Sequence, residues 1–465
     1  MVRGRHVHFM GIGGIGVSGL ARLALAAGAT VSGCDRRVSG PAKALAADGA
    51  KISRRHSPDH LAGVDILVHT SAIRENEPEL VAARAQGIEV VSRLPMLLKL
   101  AEEKLLLGVA GSHGKTTTTS LMSALLVEAG LDPWCAVGGV SDTFGSNARP
   151  GSGEWFVAEL DESDGHIAAA SCRVAVLTNV DREHFEHYRD FEDICRTFRC
   201  YLKGVTDDGL AVVCADSQPA STLARASGKR CVFYGLSEGA EYRAENIRLG
   251  PDGSIFDAVM PRGTMRDVVL GLTGVHNVQN AMAVVAVADE IGVDEDALRR
   301  MLGCAPRVGR RMEMHELPRG VQAIVDYAHH PAKVAATLAA VRLKTSGRVV
   351  ALFQPHRYSR TQHLGAEFGP AFAGAPPRHL AEARTRAVDR LLVLPIYSAS
   401  EDPIPGVTGE LVARAAREAG VDARYVKSRE DALMELGLTL RRGDTLLLLG
   451  AGDVNEMLEE LRGRL

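Results

Sequence analysis

The sequence predicts an α/β protein of three domains, each built on a mostly parallel sheet. Short apolar segments of strand length alternate along the chain with amphipathic segments of helix length, which is the pattern of parallel sheets covered by helices. The length of 465 residues is enough for two to four independent cores. A stretch at 302–313, rich in Gly, Pro and Arg, has the composition of a linker.

The first unit opens with a strand at 6–10, a glycine turn and a helix at 17–28. Further strands are predicted at 30–34 and 64–70, and the unit closes near 92–104. This order of elements predicts a first domain over 1–104.

The second unit, 105–309, begins with a strand at 105–110, a second glycine loop and a helix at 115–129. Its later elements are predicted as strands 154–160, 174–180 and 210–216 and an apolar helix at 277–292.

The third unit, 310–465, repeats the pattern. Its elements are predicted as strands 323–328, 348–354, 390–397 and 444–452, with helices from 333 and near 408–419.

Composition excludes several classes of function. A net charge of -3 provides no basic surface for nucleic acid, and aromatic residues are only 5%, too few for base stacking. No run reaches the roughly 18 apolar residues of a membrane span, and the first residues do not resemble a signal peptide. Eight cysteines without a C-x-x-C pair indicate reduced, mostly buried thiols. We therefore expect a cytoplasmic enzyme without membrane insertion.

The strongest local motif lies between a buried strand and a helix. It comprises Gly111, Ser112, His113, Gly114, Lys115, Thr116 and Thr117. Glycines allow backbone N–H groups to converge on phosphate, a lysine reaches the outer phosphates, and a hydroxyl binds Mg²⁺. The spacing is shorter than the standard phosphate loop, because Val109 stands where its first glycine should be. A nucleotide triphosphate site is nevertheless predicted here.

A second glycine motif follows the first strand of the chain. It consists of Gly11, Ile12, Gly13, Gly14, Ile15 and Gly16, with Asp35 at the end of the next strand. This pattern is typical of dinucleotide binding, with the acid on a ribose. Any diphosphate can use such a helix N-terminus, however, so a nucleotide sugar fits equally well. Asp35 could alternatively cap a helix.

Acidic residues and a histidine follow two strands of the second unit. Glu159 ends one strand and is followed by Asp161-Glu162-Ser163-Asp164, and His184 follows the next. Beside a phosphate loop, carboxylates in this position suit Mg²⁺, which prefers oxygen ligands. His184 could be a metal ligand, a phosphate contact or a purely structural imidazole. The acidic cluster could also be a solvated loop.

Polar residues also mark later elements. Asn277 and Asn280 open a long apolar helix, where they could cap the helix or contact adenine. In the third unit, two strands are followed by basic side chains at the edge where open α/β sheets bind ligands. These are His329, His330, His356, Arg357 and Arg360. Such a group suits a carboxylate or a phosphate.

Taken in order, these motifs resemble the Mur ligase family. The resemblance covers nearly the whole chain and rests on eleven segments in the same order. They are MGIGGIGVSGLA, HTSAIRENEPE, GVAGSHGKTTTT, VAELDESD, TNVDREHFEHY, GVHNVQNAMA, GRRME, VDYAHHP, FQPHRYSRT, IYSASEDPIPG and LGAGD. It implies a Rossmann-like N-terminal domain that binds a UDP-sugar, a central P-loop ATPase and a Rossmann-like C-terminal domain that binds an amino acid.

The resemblance also implies roles for individual residues. Lys115 would contact the ATP phosphates, and Thr116, Glu159 and His184 would hold magnesium, in two sites. Asn277 and Asn280 would face adenine, with Arg310 and Asp326 approaching from the linker and third domain. The histidines and arginines of the third unit would line the amino-acid and acyl-phosphate side. The first glycine motif, with Ser71 and Arg93, would bind the UDP-sugar.

The activity implied is ATP-dependent joining of a carboxylate to an amine through an acyl phosphate, in peptidoglycan synthesis. The implied partners are ATP, Mg²⁺, UDP-N-acetylmuramate and L-alanine, with the chain a monomer or a homodimer. The third domain is expected to close over the site about the 302–313 linker, because an acyl phosphate must be kept from water.

Some positions depart from the family pattern. Ala328 replaces a usual Gly, Glu183 a usual Asp and Met312 a usual Phe, while Leu160 stands where a small residue is common. The segment 376–386 has the character of an insertion. These departures leave open a sister ligase that adds another amino acid or a murein tripeptide. Two alternatives of other classes also stay open: an NAD-linked oxidoreductase, based on Gly11–Gly16 and Asp35, and a non-catalytic nucleotide-binding subunit.

Overall fold

The structure, a computed structural model, describes residues 2–36, 39–70, 73–184, 187–374 and 387–465. It contains three sheets that follow one another along the chain. Most strand pairs in each are parallel, so the predicted α/β class with three mostly parallel sheets is confirmed. Within the described ranges, no helix combines the length and the apolar character needed to cross a membrane.

The first sheet has five parallel strands in the order β3-β2-β1-β4-β5. The strands are β1 (His6–Met10), β2 (Thr30–Asp35), β3 (Lys51–Arg54), β4 (Ile66–His69) and β5 (Glu89–Ser92). The helices are α1 (Ile15–Ala26), α2 (Gly40–Ala47), α3 (Pro78–Ala85) and α4 (Arg93–Ala101), with a 3₁₀ helix at Pro58–Leu61. Parallel order brings the strand carboxyl ends, and the glycine motif after β1, to one edge.

The second sheet has ten strands in the order β15-β14-β13-β12-β11-β10-β6-β9-β7-β8. Its strands are β6 (Leu105–Ala110), β7 (Trp134–Ser141), β8 (Ser146–Arg149), β9 (Trp155–Glu159), β10 (Cys172–Leu177), β11 (Val205–Cys214), β12 (Cys231–Gly235), β13 (Tyr242–Leu249), β14 (Ser254–Met260) and β15 (Gly263–Leu270). Its helices are α5 (Lys115–Glu128), α6 (Phe191–Lys203), α7 (Gln218–Arg225), α8 (Val275–Ile291) and α9 (Glu295–Gly303). Strand β6, which leads into the phosphate loop, lies between β10 and β9 and is buried on both faces.

The third sheet has six strands in the order β16-β17-β21-β18-β19-β20. Its strands are β16 (Glu313–Leu317), β17 (Val321–Asp326), β18 (Val349–Phe353), β19 (Arg390–Val393), β20 (Ala423–Tyr425) and β21 (Thr445–Leu449). Its helices are α10 (Pro331–Lys344), α11 (Tyr358–Leu364), α12 (Phe368–Ala373), α13 (Glu410–Glu418), α14 (Arg429–Thr439) and α15 (Met457–Arg462). The histidine and arginine segments follow β17 and β18, whose carboxyl ends lie at one edge.

Several antiparallel elements were not predicted from the sequence. Hairpin β7–β8 and strands β13–β15 extend the two ends of the second sheet, and β16 pairs antiparallel with β17. The hairpin matters for the site, because Asn147 in β8 donates to the backbone oxygen of Ile15 and so joins the second domain to α1. The predicted insertion at 376–386 lies outside the described residues.

The cysteine prediction agrees with the structure. Cys34, Cys135, Cys172, Cys195 and Cys214 are buried free thiols, whereas Cys200 and Cys304 are exposed.

Candidate active site

A cavity of about 790 Å³ lies where the three domains meet. Its walls come from the start of α1, the loop before α5, the linker after α9, and the segments that follow β17 and β18. Every polar segment singled out in the second and third units therefore opens onto one space. A single chamber of this size can hold a nucleotide beside a second ligand.

Helices α1 and α5 begin at this cavity, and their N-termini are uncapped. The N-cap residues of α1 and α5 are Gly14 and Gly114, and neither has a side-chain hydrogen bond to the first turn. By contrast, side chains cap five other α-helices, at Ser39, Asp190, Asp294, His330 and Ser428. The free backbone N–H groups of α1 and α5 are therefore available to an anion.

The second glycine loop is shaped by close backbone approach. Gly114 has a φ of +82°, and a Cβ atom there would stand 2.5 Å from Oδ1 of Asn280. Gly111 has a φ of +130° and packs against Thr178 and Asn179. The amide of His113 donates to Oδ1 of Asn179 at 2.8 Å. The loop therefore requires its glycines for steric as well as conformational reasons.

Lys115 is held by a buried carboxylate. Its Nζ donates to both oxygens of Glu162, at 2.9 and 2.7 Å, and to the backbone oxygen of Gly111 at 2.6 Å. Nε2 of His184 lies 3.1 Å from the same carboxylate. Burial opposes ionisation of Glu162, but Lys115 and His184 lower its pKa below the usual value. The pair is a fixed cation and anion at the start of α5.

The side chains of Asp161, Glu162 and His184 could together hold a metal ion, because their ligand atoms lie within 4.8 Å of one another. Of the predicted metal ligands, His184 belongs to this group, whereas Glu159 accepts from the amide of Gly138 at 2.8 Å. Thr116 and Glu159 line the same cavity. The carboxylates of Asp161, Glu162 and Glu159 and the hydroxyl of Thr116 provide the oxygen donors that Mg²⁺ prefers. These residues therefore fit that ion.

The first glycine loop is hydrogen-bonded to a carboxylate, whereas the second leads into Lys115. Oδ2 of Asp35 accepts from the amide of Gly13 at 2.9 Å. The alternative that Asp35 caps a helix is wrong, because Ser39 caps α2. Arg93, at the start of α4, packs against Gly16 and pairs with Asp161 of the second domain. Ser71 lies outside the described residues.

The predicted adenine-side asparagines do not cap α8. Its N-cap is Gly274, with no side-chain cap. Asn277 instead donates to the backbone oxygen of Thr273 at 2.9 Å, and Asn280 donates to Asn277 at 3.4 Å. The capping alternative is therefore wrong, and both side chains line the cavity.

The third domain contributes histidine rings, tilted against one another and against His113, and guanidinium groups. The ring centroids of His330 and His113 are 4.7 Å apart, and those of His329 and His356 are 5.6 Å apart. Nη1 of Arg360 donates to the backbone oxygen of His356 at 3.0 Å. Cationic and aromatic groups of this domain thus face the phosphate loop directly.

Burial decides the protonation of these histidines. Burial, with the charges of Arg360 and Lys333, holds the pKa of His329 well below its usual value. Burial and the nearby ring of His113 lower the pKa of His330 to about 4. Both are therefore neutral at neutral pH.

Arg357 and Arg310 have strained backbones, with φ of 72° and 60°. Arg357 lies 3.4 Å from a carboxylate oxygen of Glu401. Arg310 donates to the backbone oxygens of Gly450 and Gly452, each at 2.9 Å. These contacts hold both side chains at the cavity wall.

The carboxylate of Asp326 organises the linker rather than facing open space. It accepts from the amides of Met312 and Ala328, each at 2.9 Å, and from the Thr337 hydroxyl at 3.1 Å. Asp326 still contributes to the cavity wall.

Three family descriptions match successive parts of this chain. They are "Mur ligase family, catalytic domain" over residues 6–105, "Mur ligase middle domain" over 109–288 and "Mur ligase, glutamate ligase domain" over 310–452. The chain belongs to the Mur ligase family.

Individual relatives are similar over nearly the whole length of this Mur ligase. It is 41% identical over 459 residues to the UDP-N-acetylmuramate–L-alanine ligase of Anaeromyxobacter sp. (strain Fw109-5), covering 99% of this chain and 97% of the relative. It is 42% identical to the enzyme of the same name from Desulfosudis oleivorans, covering 97% and 96%. A crystal structure of UDP-N-acetylmuramate–alanine ligase from Thermotoga maritima superposes with a TM-score of 0.80 at 25% identity, covering 99% and 98%.

The structure adds residues to the Mur ligase site that sequence reasoning did not single out. Glu162 is the direct partner of Lys115, although the sequence shows it only as one member of an acidic run. Lys333 of α10 lies 3.3 Å from Oε1 of Glu183, joining the third domain to the second. The sequence signal that could have identified Lys333 is its position shortly after the paired histidines His329 and His330. In the structure it lines the same cavity as His329.

Proposed function

We propose that this protein joins L-alanine to the lactyl carboxylate of UDP-N-acetylmuramate at the expense of ATP, in peptidoglycan synthesis. The carboxylate attacks the γ-phosphorus of ATP, which releases ADP and leaves an acyl phosphate. The amine of L-alanine then attacks the acyl carbon, and phosphate departs. The full-length similarity to enzymes named for this reaction supports the choice of both substrates.

One observation carries the proposal: the phosphate loop and the basic group of the third domain face each other across a single cavity. A simple nucleotide hydrolase does not need a second domain of histidines and arginines opposite its lysine. A ligase does, because the second half of its reaction takes place on the acyl group beside the spent nucleotide.

On the nucleotide side, the uncapped N-terminus of α5 and Lys115 would bind the outer phosphates. Lys115 is already charged in the structure, since Glu162 and other acidic neighbours outweigh burial and raise its pKa. Thr116, Glu159 and His184 would hold Mg²⁺, with Asp161 and Glu162 as further ligands. When bound, Mg²⁺ neutralises phosphate charge and so opens the γ-phosphorus to an anionic nucleophile.

Asn277 and Asn280 would border the adenine. Arg310 and Asp326, held by the linker and by β17, would complete that end of the nucleotide site.

On the amino-acid side, the cationic guanidinium groups of Arg357 and Arg360 would stabilise the acyl phosphate and the tetrahedral state that follows it. His329, His330 and His356 would position the amine, and its proton would leave with the departing phosphate. The lowered pKa values of His329 and His330 keep both rings uncharged at neutral pH but make them weak bases, and Nδ1 of His330 accepts from the amide of Ala332 at 3.3 Å, so positioning is the role that suits them.

The first domain, 1–104, would hold the UDP-sugar at the uncapped end of α1. The loop Gly11–Gly16 would contact its diphosphate, and Ser71 and Arg93 would contact the sugar end. Domains 105–309 and 310–465 would bind ATP and L-alanine. Bound in this way, the UDP-sugar would direct its lactyl carboxylate toward Lys115.

Substrate dependence tests the proposal. Purified protein with UDP-N-acetylmuramate, ATP and Mg²⁺ should release phosphate when L-alanine is added. The same assay with glycine, L-serine and a murein tripeptide identifies the amine. Turnover with the tripeptide alone would replace this proposal with a sister ligase, and NADH oxidation without phosphate release would overturn it.

A further inference from the structure

A second cluster of potential metal ligands lies in the first domain, outside the cavity described above. Its members are His8 on β1, Cys34 on β2, His60 on the 3₁₀ helix and Glu79 in the first turn of α3. One ligand atom from each lies within 4.8 Å of the others. His56, from the loop after β3, lies beside them with Nδ1 at 3.0 Å from the sulfur of Cys34.

The distances resemble those in a four-ligand metal site. Oε1 of Glu79 lies 3.1 Å from Nε2 of His8 and 2.9 Å from Nδ1 of His60. The sulfur of Cys34 lies 3.2 Å from Oε2 of Glu79. Ligand atoms around tetrahedral zinc stand about 3.4 Å apart, given bonds of about 2.1 Å. A small outward movement of these side chains would therefore admit the ion.

One ring nitrogen is aimed into the cluster, at the carboxylate. His8 is 1% exposed, and its Nδ1 is bonded to the Ser32 hydroxyl at 2.8 Å. Its Nε2 is buried and lies 3.1 Å from Oε1 of Glu79. A contact such as that with Ser32 fixes the ring of a metal-binding histidine, so Nε2 could take an ion in place of the carboxylate contact.

The charges of the cluster also favour a bound divalent cation. Glu79 is fully buried, and its ion pairs among the described residues are all with histidines: His8, His56 and His60. A buried carboxylate without a fixed cation is costly. A divalent ion bound by one thiolate, one carboxylate and two neutral imidazoles forms a site of zero net charge. Such a site avoids that cost.

The apolar packing beside the cluster also favours a structural role for a bound metal ion. On this face of the first sheet the described core cluster is small, comprising Met10, Cys34, Leu61, Leu67, Leu80 and Ala83. A metal bound here would link β1, β2, the 3₁₀ helix and α3 across this face. His60 is the most exposed member, at 18% for its side chain, and provides the route by which an ion enters.

We propose that His8, Cys34, His60 and Glu79 form a structural site for a thiophilic divalent cation of the zinc class, with His56 as a neighbouring fifth group. Binding replaces the proton on the Cys34 sulfur with a metal–sulfur bond, and the proton passes to solvent. No oxidation or reduction is involved. Because the carbonyl of Cys34 accepts from the amide of Gly11 at 2.8 Å, the site anchors the first glycine loop.

Cobalt(II) is the probe of choice, since a thiolate ligand gives it a near-ultraviolet charge-transfer band. The full-length protein, stripped with a chelator, is titrated with Co²⁺ and then with Zn²⁺. We expect one equivalent of Co²⁺ to produce the band and Zn²⁺ to displace it. The other two described clusters contain no cysteine, so this band distinguishes the proposed site from them.

Two variants and a matched control complete the test. Cys34→Ser should abolish the band, and His60→Ala should weaken Co²⁺ binding about 10-fold to 100-fold, because a ligand is lost. Cys172→Ser is the control, since Cys172 is equally buried but lies in the second domain. Zinc should raise the Tm of wild type and Cys172→Ser but not of Cys34→Ser.

A wild-type protein that gives no band, or a band that survives in Cys34→Ser, would overturn the proposal. His60→Ala keeps the test decisive if Cys34→Ser does not fold, because an unchanged affinity in that variant also refutes the site. None of these readouts depends on ligase activity.

Discussion

The two glycine loops follow the first strands of adjoining sheets, and both lead into a helix without a side-chain cap. They differ in the charged group that each loop contacts. In the first loop, Asp35 accepts from the amide of Gly13, so an anion already occupies one backbone donor. In the second, Lys115 supplies a cation that Glu162 balances. In the proposed reaction, the same backbone design would hold the UDP-sugar in the first loop and the reacting phosphates of ATP in the second.

The largest expected effect is on Lys115. Lys115→Ala should lower kcat about 10³-fold, because a charge that stabilises the transferring phosphoryl group is lost. Binding of the UDP-sugar, measured by calorimetry, should be unchanged. Lys104→Ala is the matched control, since that side chain donates to the Gly153 carbonyl away from the cavity. Equal losses in both variants would contradict the assignment.

A smaller effect is expected when a glycine of either loop is replaced by alanine, and its size should differ between the two loops. Gly114→Ala should raise the KM for ATP about 10-fold to 100-fold, because its Cβ would overlap Asn280 in addition to the 1–2 kcal/mol or so of a left-handed residue. Gly11→Ala has nothing within 4 Å of its Cβ and pays only the conformational cost. Steady-state kinetics of both variants, with circular dichroism as a folding check, make the comparison.

Asp35 tests the first loop alone. Asp35→Ala should raise the KM for UDP-N-acetylmuramate about tenfold, because a charge-assisted hydrogen bond that orders the loop is removed. The kcat at saturating sugar and the KM for ATP should stay within about twofold of wild type. A fall in kcat with an unchanged KM would show that Asp35 acts on the chemistry instead.

A further effect concerns stability, and it involves His330, whose ring contacts that of His113 in the second loop. The pKa of His330 is lowered from 6.5 to about 4 in the folded protein, so the unfolded chain binds more protons between those values. The free energy of unfolding should therefore rise with pH from 4 to 6.5, by about 3 kcal/mol from this residue.

Urea unfolding across that range, compared with His330→Asn, measures this contribution. The variant should show a shallower dependence on pH. Identical slopes in the two proteins would contradict the assignment.

Much of this arrangement could be predicted from the sequence. The parallel strands are recognisable in the sequence as apolar runs, and glycine loops follow the ends of two of them. The strand–loop–helix units around Gly11 and Gly111 were therefore correctly located. The α/β class, the three sheets and the family followed from the order of such motifs.

The antiparallel strands β13–β15 were missed because their burial alternates and their apolar content is diluted by exposed charges. The partner of Lys115 was missed for a different reason. Nothing in the run Asp161–Asp164 distinguishes Glu162, which becomes unique only when folding buries it beside the lysine. The cluster around Glu79 likewise draws on residues far apart in the chain, which only the sheet order of the first domain brings together.

The ion pair between Lys333 and Glu183 would influence the closure expected of the third domain. Its side chains are 18% and 3% exposed, so both charges have lost most of their hydration. Separating the domains about the linker would break an attraction but return water to both ions, and these two terms largely offset each other. The contact would therefore fix where α10 settles more than how strongly it is held. Such a contact would suit a domain that must close accurately over its substrates and open again for the product to leave.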